Sequence, residues 1–425
     1  MTVLVFIVSL MAAMALGMPI AFALIVCALS LMFLQGSFDT TLLSQKLIEG
    51  ADSYPLLAIP FFIFAGELMN KGGISKHIVN FALALVGHIR GGLGFVAIFA
   101  SIVMAAISGS AAADAAALGS ILIPMMRNAG YDVPRSAGLI AAGSVIAPCM
   151  PPSVAFIIFG VIANVSIGKL FMATIFPGLL MGFSLVIAWM WVSRNEKFDL
   201  LPKKSRSDIF KIFRSSLWGL LMPFGIVGGM KAGIFTPTEA AVAACAYAMF
   251  VGMCIYRELS FKDLYPLLVS AAKTTSVIVF LIASALVSAW LITTSAIPQQ
   301  IAAILEPFMD SPRILMFLMM VLVVIIGTAL DFAPTLMILT PVLMPIVKQA
   351  GIDPVYFGVL FIMNNAIGLI TPPVGIVLNI LSGVSKISMG DMVRGSWPFL
   401  IAQIIVLFLL IIFPDVLMTP YKWLM

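Results

Sequence analysis

Charge is what this sequence has least of. Of its 425 residues only 10% are Asp, Glu, Lys or Arg, while 62% are hydrophobic, and mean hydropathy is +1.17. A soluble domain needs about a quarter of its residues charged to cover its surface, so a water-exposed globular fold is excluded. Histidine is almost missing, with two copies. The four cysteines (Cys27, Cys149, Cys245 and Cys254) lie in apolar segments at spacings that fit neither a metal site nor a disulfide framework, and they read as small packing residues. No glycine-rich loop ending in Gly-Lys-Ser/Thr is present, so direct ATP drive is not encoded here. The net charge of +5 comes mostly from 194–214, where seven Lys or Arg accompany Glu196, Asp199 and Asp208. A short polar link between two apolar halves is no nucleic-acid patch; under the positive-inside rule it is a cytoplasmic loop.

What the chain has instead is long uncharged runs, at 91–113, 136–168, 170–193, 274–305, 354–385 and 395–414. Several exceed the roughly 20 apolar residues that cross a bilayer. The fold expected is therefore an all-α integral membrane protein, multi-pass in a lipid bilayer. The first apolar stretch continues to Leu34 with no basic leader and no small-residue cleavage site, so it reads as a retained span.

The sequence also repeats itself. One constant offset sets Ile121-Leu-Ile-Pro124 against Val342-Leu-Met-Pro345, Gly130-Tyr-Asp132 against Gly351-Ile-Asp353, and Pro151-Pro152 against Pro372-Pro373. Similar offsets pair Gly73-Ile74 with Ala296-Ile297 and Gly17-Met-Pro19 with Phe235-Thr-Pro237. Chance identity in Leu- and Ala-rich sequence would not keep prolines and glycines in register, so the chain is expected to be a duplication. Repeat one (1–193) divides into scaffold spans at 1–90, a hairpin at 92–129, a broken helix at 136–165 and a closing span at 170–193. A linker at 194–214 leads to repeat two (215–425), with scaffold spans at 215–310, a hairpin at 312–349, a broken helix at 354–385 and a closing span at 395–414. The hairpin arms are short for a ~30 Å core, which favours re-entrant hairpins with tips at mid-depth. With a periplasmic N-terminus and five crossings per half, Arg90, Arg127, Arg135, Lys386 and Arg394 fall inside with the linker. Lys71, Lys169 and the 257–263 charges fall outside, and the repeats are inverted. Segments 3–34 and 217–256 are each long enough to be one broken span or two short ones, and the parity depends on which.

Two constellations could carry chemistry. The first is the pair of hairpin tips, Ser108-Gly109-Ser110 with Asp114, and Gly327-Thr328 with Asp331. A carboxylate deep in a bilayer costs at least ~2.5 kcal/mol unless paired or hydrated, so Asp331 is either a site residue or a helix cap. The second is the double proline following each tip, Pro148-Cys-Met-Pro151-Pro152-Ser153 and Gly368-Leu-Ile-Thr371-Pro372-Pro373. Prolines in mid-span remove donors and free upstream carbonyls, which must find a partner. Neutral hard oxygens suit Na⁺, and helix N-termini beginning after each break suit an anion. Sodium is expected at Ser108, Gly109, Ser110, Pro148, Cys149 and Met150, and at Gly327, Thr328, Asp331, Gly368, Ile370 and Thr371. A carboxylate substrate is expected at Ser110, Asp114, Pro152, Ser153, Asp331, Thr335, Asn365 and Pro373. Glu67 and Glu239 read as scaffold caps, with proton carrier or partner of Lys231 as the alternatives, and His77 and His88 as loop or interface residues. An uncoupled channel, or a proton-coupled antiporter using Asp114, Asp331 or Glu67, competes with the sodium reading.

At Phe64-Ala-Gly-Glu67-Leu-Met-Asn70, Ser108-Gly-Ser-Ala-Ala-Ala-Asp114, Gly233-Ile-Phe-Thr-Pro-Thr-Glu239-Ala-Ala and Asn364-Asn-Ala-Ile-Gly-Leu-Ile-Thr-Pro-Pro373-Val-Gly the chain resembles the large (M) subunit of tripartite ATP-independent periplasmic (TRAP) transporters. The likeness covers essentially the whole chain. The succession of tip and Pro-Pro break also resembles sodium-coupled dicarboxylate symporters, whose tips carry Ser-Asn-Thr motifs; this chain departs from them at Gly109 and Asp331. The resemblance implies an elevator mechanism rather than an enzyme. It implies two partners, a small four-span membrane subunit (Q) and a soluble periplasmic substrate-binding protein. It implies organic-acid substrates, among them sialic acid and C4-dicarboxylates, with sialic acid favoured on overall likeness.

Overall fold

Glycine and aspartate set the helix boundaries that organise this molecule. After Asn128, Gly130 takes the left-handed conformation at φ 77°, and the Asp132 carboxylate then accepts the Arg135 N–H to start the next helix. The second half repeats the device: Gly351 stands at φ 68° and Asp353 accepts from the Val355 and Tyr356 N–H groups. Glycine reaches positive φ without steric cost, and an N-cap carboxylate satisfies donors that the helix itself leaves unpaired.

The computed structural model describes residues 2–196, 198, 202–328 and 332–424, and these contain helices and no strand. In the first half the helices are α1 (Thr2–Ala15), α2 (Ile20–Leu34), α3 (Thr40–Ala51), α4 (Ala58–Lys71), α5 (Ile74–Val86), α6 (Gly92–Ser108), α7 (Ala111–Asn128), α8 (Val133–Ser144), α9 (Val154–Ala163) and α10 (Ile167–Ser193). In the second they are α11 (Arg206–Lys231), α12 (Pro237–Phe250), α13 (Phe261–Thr294), α14 (Ile297–Met309), α15 (Pro312–Gly327), α16 (Phe332–Gln349), α17 (Pro354–Gly368), α18 (Ile376–Ser385), α19 (Met389–Ile412) and α20 (Asp415–Leu424). The offset that aligned the sequence carries α7 onto α16 end for end and the start of α8 onto the start of α17. Where the second half has the continuous α13, the first has α3 and α4, bent by 54°.

Among the described residues six helices are long and apolar enough to cross a membrane, and eight if the bent pairs Thr40–Ala51 with Tyr54–Lys71 and Val133–Cys149 with Val154–Ala163 each count as one. The segments left open resolve into two helices each: α1 and α2, which pack together, and α11 and α12. Helix α11 also begins at Arg206, inside the stretch read as linker, because Ser205 caps it by accepting the Asp208 N–H.

Like α1 and α2, helices α5 and α14 are shorter than a full span. Each has 13 residues and rises only about 20 Å, short of the ~30 Å hydrocarbon core. In α5 one side buries Ile74, Ile78, Val79, Phe81 and Ala82 while Lys76 and Asn80 are exposed. Lys71 pairs with Asp263 at 3.5 Å, Lys76 with Glu258 at 3.6 Å, and His77 stacks on Tyr256, so the 257–263 charges gather at the start of α5. At its other end the Arg90 guanidinium donates to the Arg194 and Glu196 carbonyls, and Arg135 pairs with Glu196.

The packing falls into two bodies that meet along α5 on α6 and α13 on α16. Helices α1–α5 and α11–α14 pack on one another through α2 on α13, α4 on α12 and α5 on α11. Helices α6–α10 and α15–α20 form the other, in which the halves interlock: α8 lies on α19, α7 on α18 and α9 on α16. The closest passage is α8 on α19, where a Cβ on Gly138 would lie 2.5 Å from the Ser396 nitrogen, so any larger residue would force the backbones apart.

Candidate binding site at the helix breaks

Helix α6 ends at Ser108 because Gly109 turns left-handed at φ 61°. Ser110 then caps α7 by accepting the Ala113 N–H, while its own N–H donates to the Ser108 hydroxyl. This first tip rests on the first break: a Cβ on Gly109 would lie 3.1 Å from the Pro152 carbonyl oxygen and 3.4 Å from the Ser153 Cα. A side chain there would be strained by φ and crowded by backbone. In the second half Gly327 meets Gly368, whose Cβ would lie 3.2 Å from the Gly327 carbonyl oxygen. Each tip is thus seated on the break of its own half.

The breaks differ from expectation in one respect. Several of their carbonyls already have partners. The Ser153 hydroxyl donates to the Pro148 carbonyl at 2.8 Å, the Thr174 hydroxyl donates to the Cys149 carbonyl, and the Gly368 carbonyl accepts the Thr371 N–H at 3.0 Å. Hydroxyl side chains within reach of a broken helix satisfy it before any ligand arrives; each carbonyl keeps a second lone pair. Ser153 also accepts the Ala155 N–H and so caps α9. Both Pro-Pro bonds, Pro151–Pro152 and Pro372–Pro373, are cis.

Asn364 and Asn365 tie the second break to its hairpin. The Asn364 amide donates to the Met320 carbonyl at 2.6 Å and the Asn365 amide to the Phe332 carbonyl at 2.7 Å. The carbonyl oxygen of each side chain is buried and accepts no hydrogen bond from a described residue. Thr371 and Thr328 bond back to their own helices, at the Ile367 and Ile325 carbonyls. Asp114, one turn into α7, is fully buried; the Ser108 hydroxyl is beside it but outside hydrogen-bond geometry for either oxygen. Asp331 lies outside the described residues.

One cavity of about 400 Å³ gathers both halves. Its walls include tip one (Ser108, Gly109, Ser110) and the first turns of four helices: Ala111, Ala112 and Ala113 of α7, Val154 and Ala155 of α9, Phe332 and Ala333 of α16, and Ile376 and Val377 of α18. The first turn of a helix exposes N–H groups and the positive end of its dipole. Among the described lining residues there is no Lys or Arg. Of the residues expected at the site, Ser108, Gly109, Ser110 and Pro148 line this cavity. Cys149, Met150, Pro152, Ser153, Gly327, Gly368, Ile370, Asn365 and the buried Thr335 lie in the surrounding shell of tips and breaks, Thr328 and Thr371 are half-buried in it, and Pro373 is exposed in the second break.

The opposite wall was not anticipated. It comes from the other body: Ile63, Gly66, Glu67 and Asn70 of α4, and Thr274 and Ile278 of α13. A Cβ on Gly66 would lie 3.6 Å from the Ser108 carbonyl oxygen, so α4 passes directly beside tip one. Glu67 accepts the Ser270 hydroxyl at 2.7 Å on Oε1, rather than pairing with Lys231. Glu239 is a cap, its carboxylate accepting the Thr236 N–H and hydroxyl at 2.8 Å. A glutamate inside an apolar run was the only sequence signal for this wall.

Residues 7–416 match the family described as the tripartite ATP-independent periplasmic transporter, DctM component. The chain belongs to that family. It is 51% identical, over the full length of both chains, to the 2,3-diketo-L-gulonate TRAP transporter large permease protein YiaN of Escherichia coli (strain K12). It is 40% identical to the sialic acid TRAP transporter large permease protein SiaM of Vibrio cholerae, covering 94% of this chain and 93% of that one. The C4-dicarboxylate large permease protein DctM of Pseudomonas aeruginosa is 37% identical over 90% of each chain. Among solved structures, the Alcanivorax borkumensis YdaH transporter superposes with a TM-score of 0.65, covering 87% of this chain and 86% of that one at 13% identity, a likeness of fold alone. Like other DctM-component chains, this one is a multi-pass protein of the bacterial inner membrane and a permease subunit rather than an enzyme.

Proposed function

We propose that the chain is the translocating subunit of a sodium-coupled importer of organic acid anions, receiving substrate from a soluble periplasmic binding protein and working beside a small four-span membrane subunit. One observation carries the anion: four helix N-termini, two from each half, open on a single cavity whose described lining holds no basic side chain. Oriented N–H groups compensate negative charge without a lysine that would bind it too tightly to release. Sodium belongs at the two seams, where Ser108–Ser110 meets 148–153 and where Gly327 and Thr328 meet 368–371; second lone pairs of hydrogen-bonded carbonyls and the spare Asn365 oxygen are its neutral ligands there. The names of relatives point to sugar-derived acids at 51% and 40% identity and to C4-dicarboxylates at 37%.

Mechanically, α5 and α14 serve as arms along the membrane face. Counting them so leaves five crossings per half: α1, α2, α3 with α4, α8 with α9, and α10, then α11, α12, α13, α17 with α18, and α19. An odd number inverts the second half, and Lys71 and the 257–263 charges move to the side of Arg90. The body holding tips and breaks then travels as an elevator against the body holding α4 and α13.

Uptake into liposomes containing the chain and its two partners tests the proposal. An inward sodium gradient should drive accumulation, and Ser110→Ala and Thr371→Ala should each raise the sodium concentration for half-maximal uptake. Equal uptake with and without the gradient would establish an uncoupled channel, and dependence on a proton gradient alone an antiporter.

A further inference from the structure

The two walls of the cavity carry opposite electrostatic character. The wall of tips and breaks presents the positive ends of four helices, with the Ala113, Ala155 and Val377 N–H groups already donating to Ser110, Ser153 and the Leu369 carbonyl. The α4–α13 wall carries the Glu67 carboxylate, with Asn70 and Thr274 beside it. Glu67 is the one acidic residue among the described lining residues, and its acceptor capacity is largely unused. Oε1 takes the Ser270 hydroxyl in an exposed contact and keeps a lone pair for a ligand, while Oε2 is closed off from solvent, with no donor from any described residue. An ionised carboxylate accepts up to four hydrogen bonds and donates none.

A ligand filling this cavity therefore needs an anionic end facing the helix N-termini and O–H donors facing α4. A second carboxylate at the α4 wall would meet the Glu67 charge at close range, with no basic side chain among the described lining residues to offset it. We infer that Glu67 is a specificity residue that accepts a substrate hydroxyl, so that the site selects hydroxylated monocarboxylates and rejects plain dicarboxylates. The inference rests on the anion site proposed above. The volume agrees with it: about 400 Å³ leaves space beyond a four-carbon acid. Ser270 is the positioning residue, since its hydroxyl fixes the carboxylate orientation from α13, a helix that also lines the cavity through Thr274 and Ile278.

The test is calorimetric binding to the purified full chain with its small membrane partner, in sodium chloride, using N-acetylneuraminate and 2-keto-D-gluconate as hydroxylated monocarboxylates and succinate as the dicarboxylate. Wild type should bind at least one of the first pair and not succinate. Glu67→Gln should weaken that binding by about tenfold or more, because a hydrogen bond to a charged acceptor is lost, and should begin to bind succinate. Glu67→Asp should recover part of the affinity, and the ligand-free melting midpoint reports folding of each variant. Should Glu67→Gln not fold, Ser270→Ala, which leaves the charge and loosens its orientation, should shift the same affinity in the same direction by less.

Unchanged affinity and unchanged exclusion of succinate in Glu67→Gln, or in Ser270→Ala where it stands in, would overturn the role of Glu67. Succinate binding to wild type as tightly as the hydroxylated acids would overturn the specificity and leave the anion site standing. Binding of none of the three to wild type would sink the anion site and this inference together.

Discussion

Asn365 shows how a single side chain can hold a seam together. Its amide donates to the Phe332 carbonyl at the start of α16, and its oxygen faces the Gly327–Gly368 contact, 3.5 Å from where a Gly327 Cβ would stand. Asn365→Ala removes the donor and leaves a partly buried carbonyl with one partner fewer, a loss of about 1–3 kcal/mol. The expected outcome is a lowered melting midpoint together with a raised sodium requirement in uptake assays. A variant that melts early but keeps the wild-type sodium curve would confine Asn365 to a structural role. Glu239 and Glu67 mark how far the sequence can be read at this scale. Glu239 was legible as a cap because Thr236-Pro-Thr-Glu239 is a local capping box, complete within one turn. Glu67 was not, because the hydroxyl that holds it belongs to Ser270 and the tip it faces belongs to α6, neither near it in sequence.

Whole elements were legible where glycine and proline punctuate them. Helix α6 ends and α7 begins at Ser108-Gly109-Ser110, α15 ends at Gly327, α7 and α16 end ahead of Gly130 and Gly351, and the breaks lie at 145–153 and 369–375, because left-handed residues and missing N–H groups act locally. Which segments cross was not legible from composition, because apolar content does not distinguish a short amphipathic helix from a span; α5 and α14 are about as short as α1 and α2, and differ in exposing Lys76 and Asn80 in one and Gln299, Gln300 and Glu306 in the other. The wall that α4 presents to tip one also has to be read from packing. Gly66 stands where its missing side chain lets Ser108 approach, and a methyl there would make ordinary contact at 3.6 Å. Gly66→Ala should therefore transport near the wild-type rate. Gly66→Leu adds three carbons into the path of the tip and should cut uptake by about tenfold or more while costing about 1–3 kcal/mol of stability through overpacking. Equal rates for the alanine and leucine variants would mean that the tip does not pass this point.

At the scale of the whole molecule, the question is whether the two bodies move past each other, and their contact surface makes that testable. Tips and breaks are locked to one another by backbone contacts at Gly109 with Pro152 and Gly327 with Gly368, whereas tip one meets the other body across the side-chain-free surface of Gly66. Rigid-body travel requires contacts that hold within each body and slide between them, and the packing of α5 on α6 and of α13 on α16 is the surface that would have to slide. Gly66 and Ser108 also supply the lock that would stop it. A Cβ on Gly66 would lie 3.8 Å from the Ser108 Cα, close enough for a disulfide, whose Cα atoms stand ~4.4–6.8 Å apart. In a background with the exposed Cys254 replaced by serine, the pair Gly66→Cys and Ser108→Cys should cross-link under oxidation. Ser108→Cys alone sets the baseline, since Ser108 is itself a sodium candidate. Oxidation should abolish uptake by the double variant, reductant should restore it to that baseline, and the single variant should ignore both treatments. A fully cross-linked protein that still transports at the reduced rate would mean that tip one stays beside α4 throughout the cycle, and that access alternates by opening the tips rather than by carrying the cavity across the membrane.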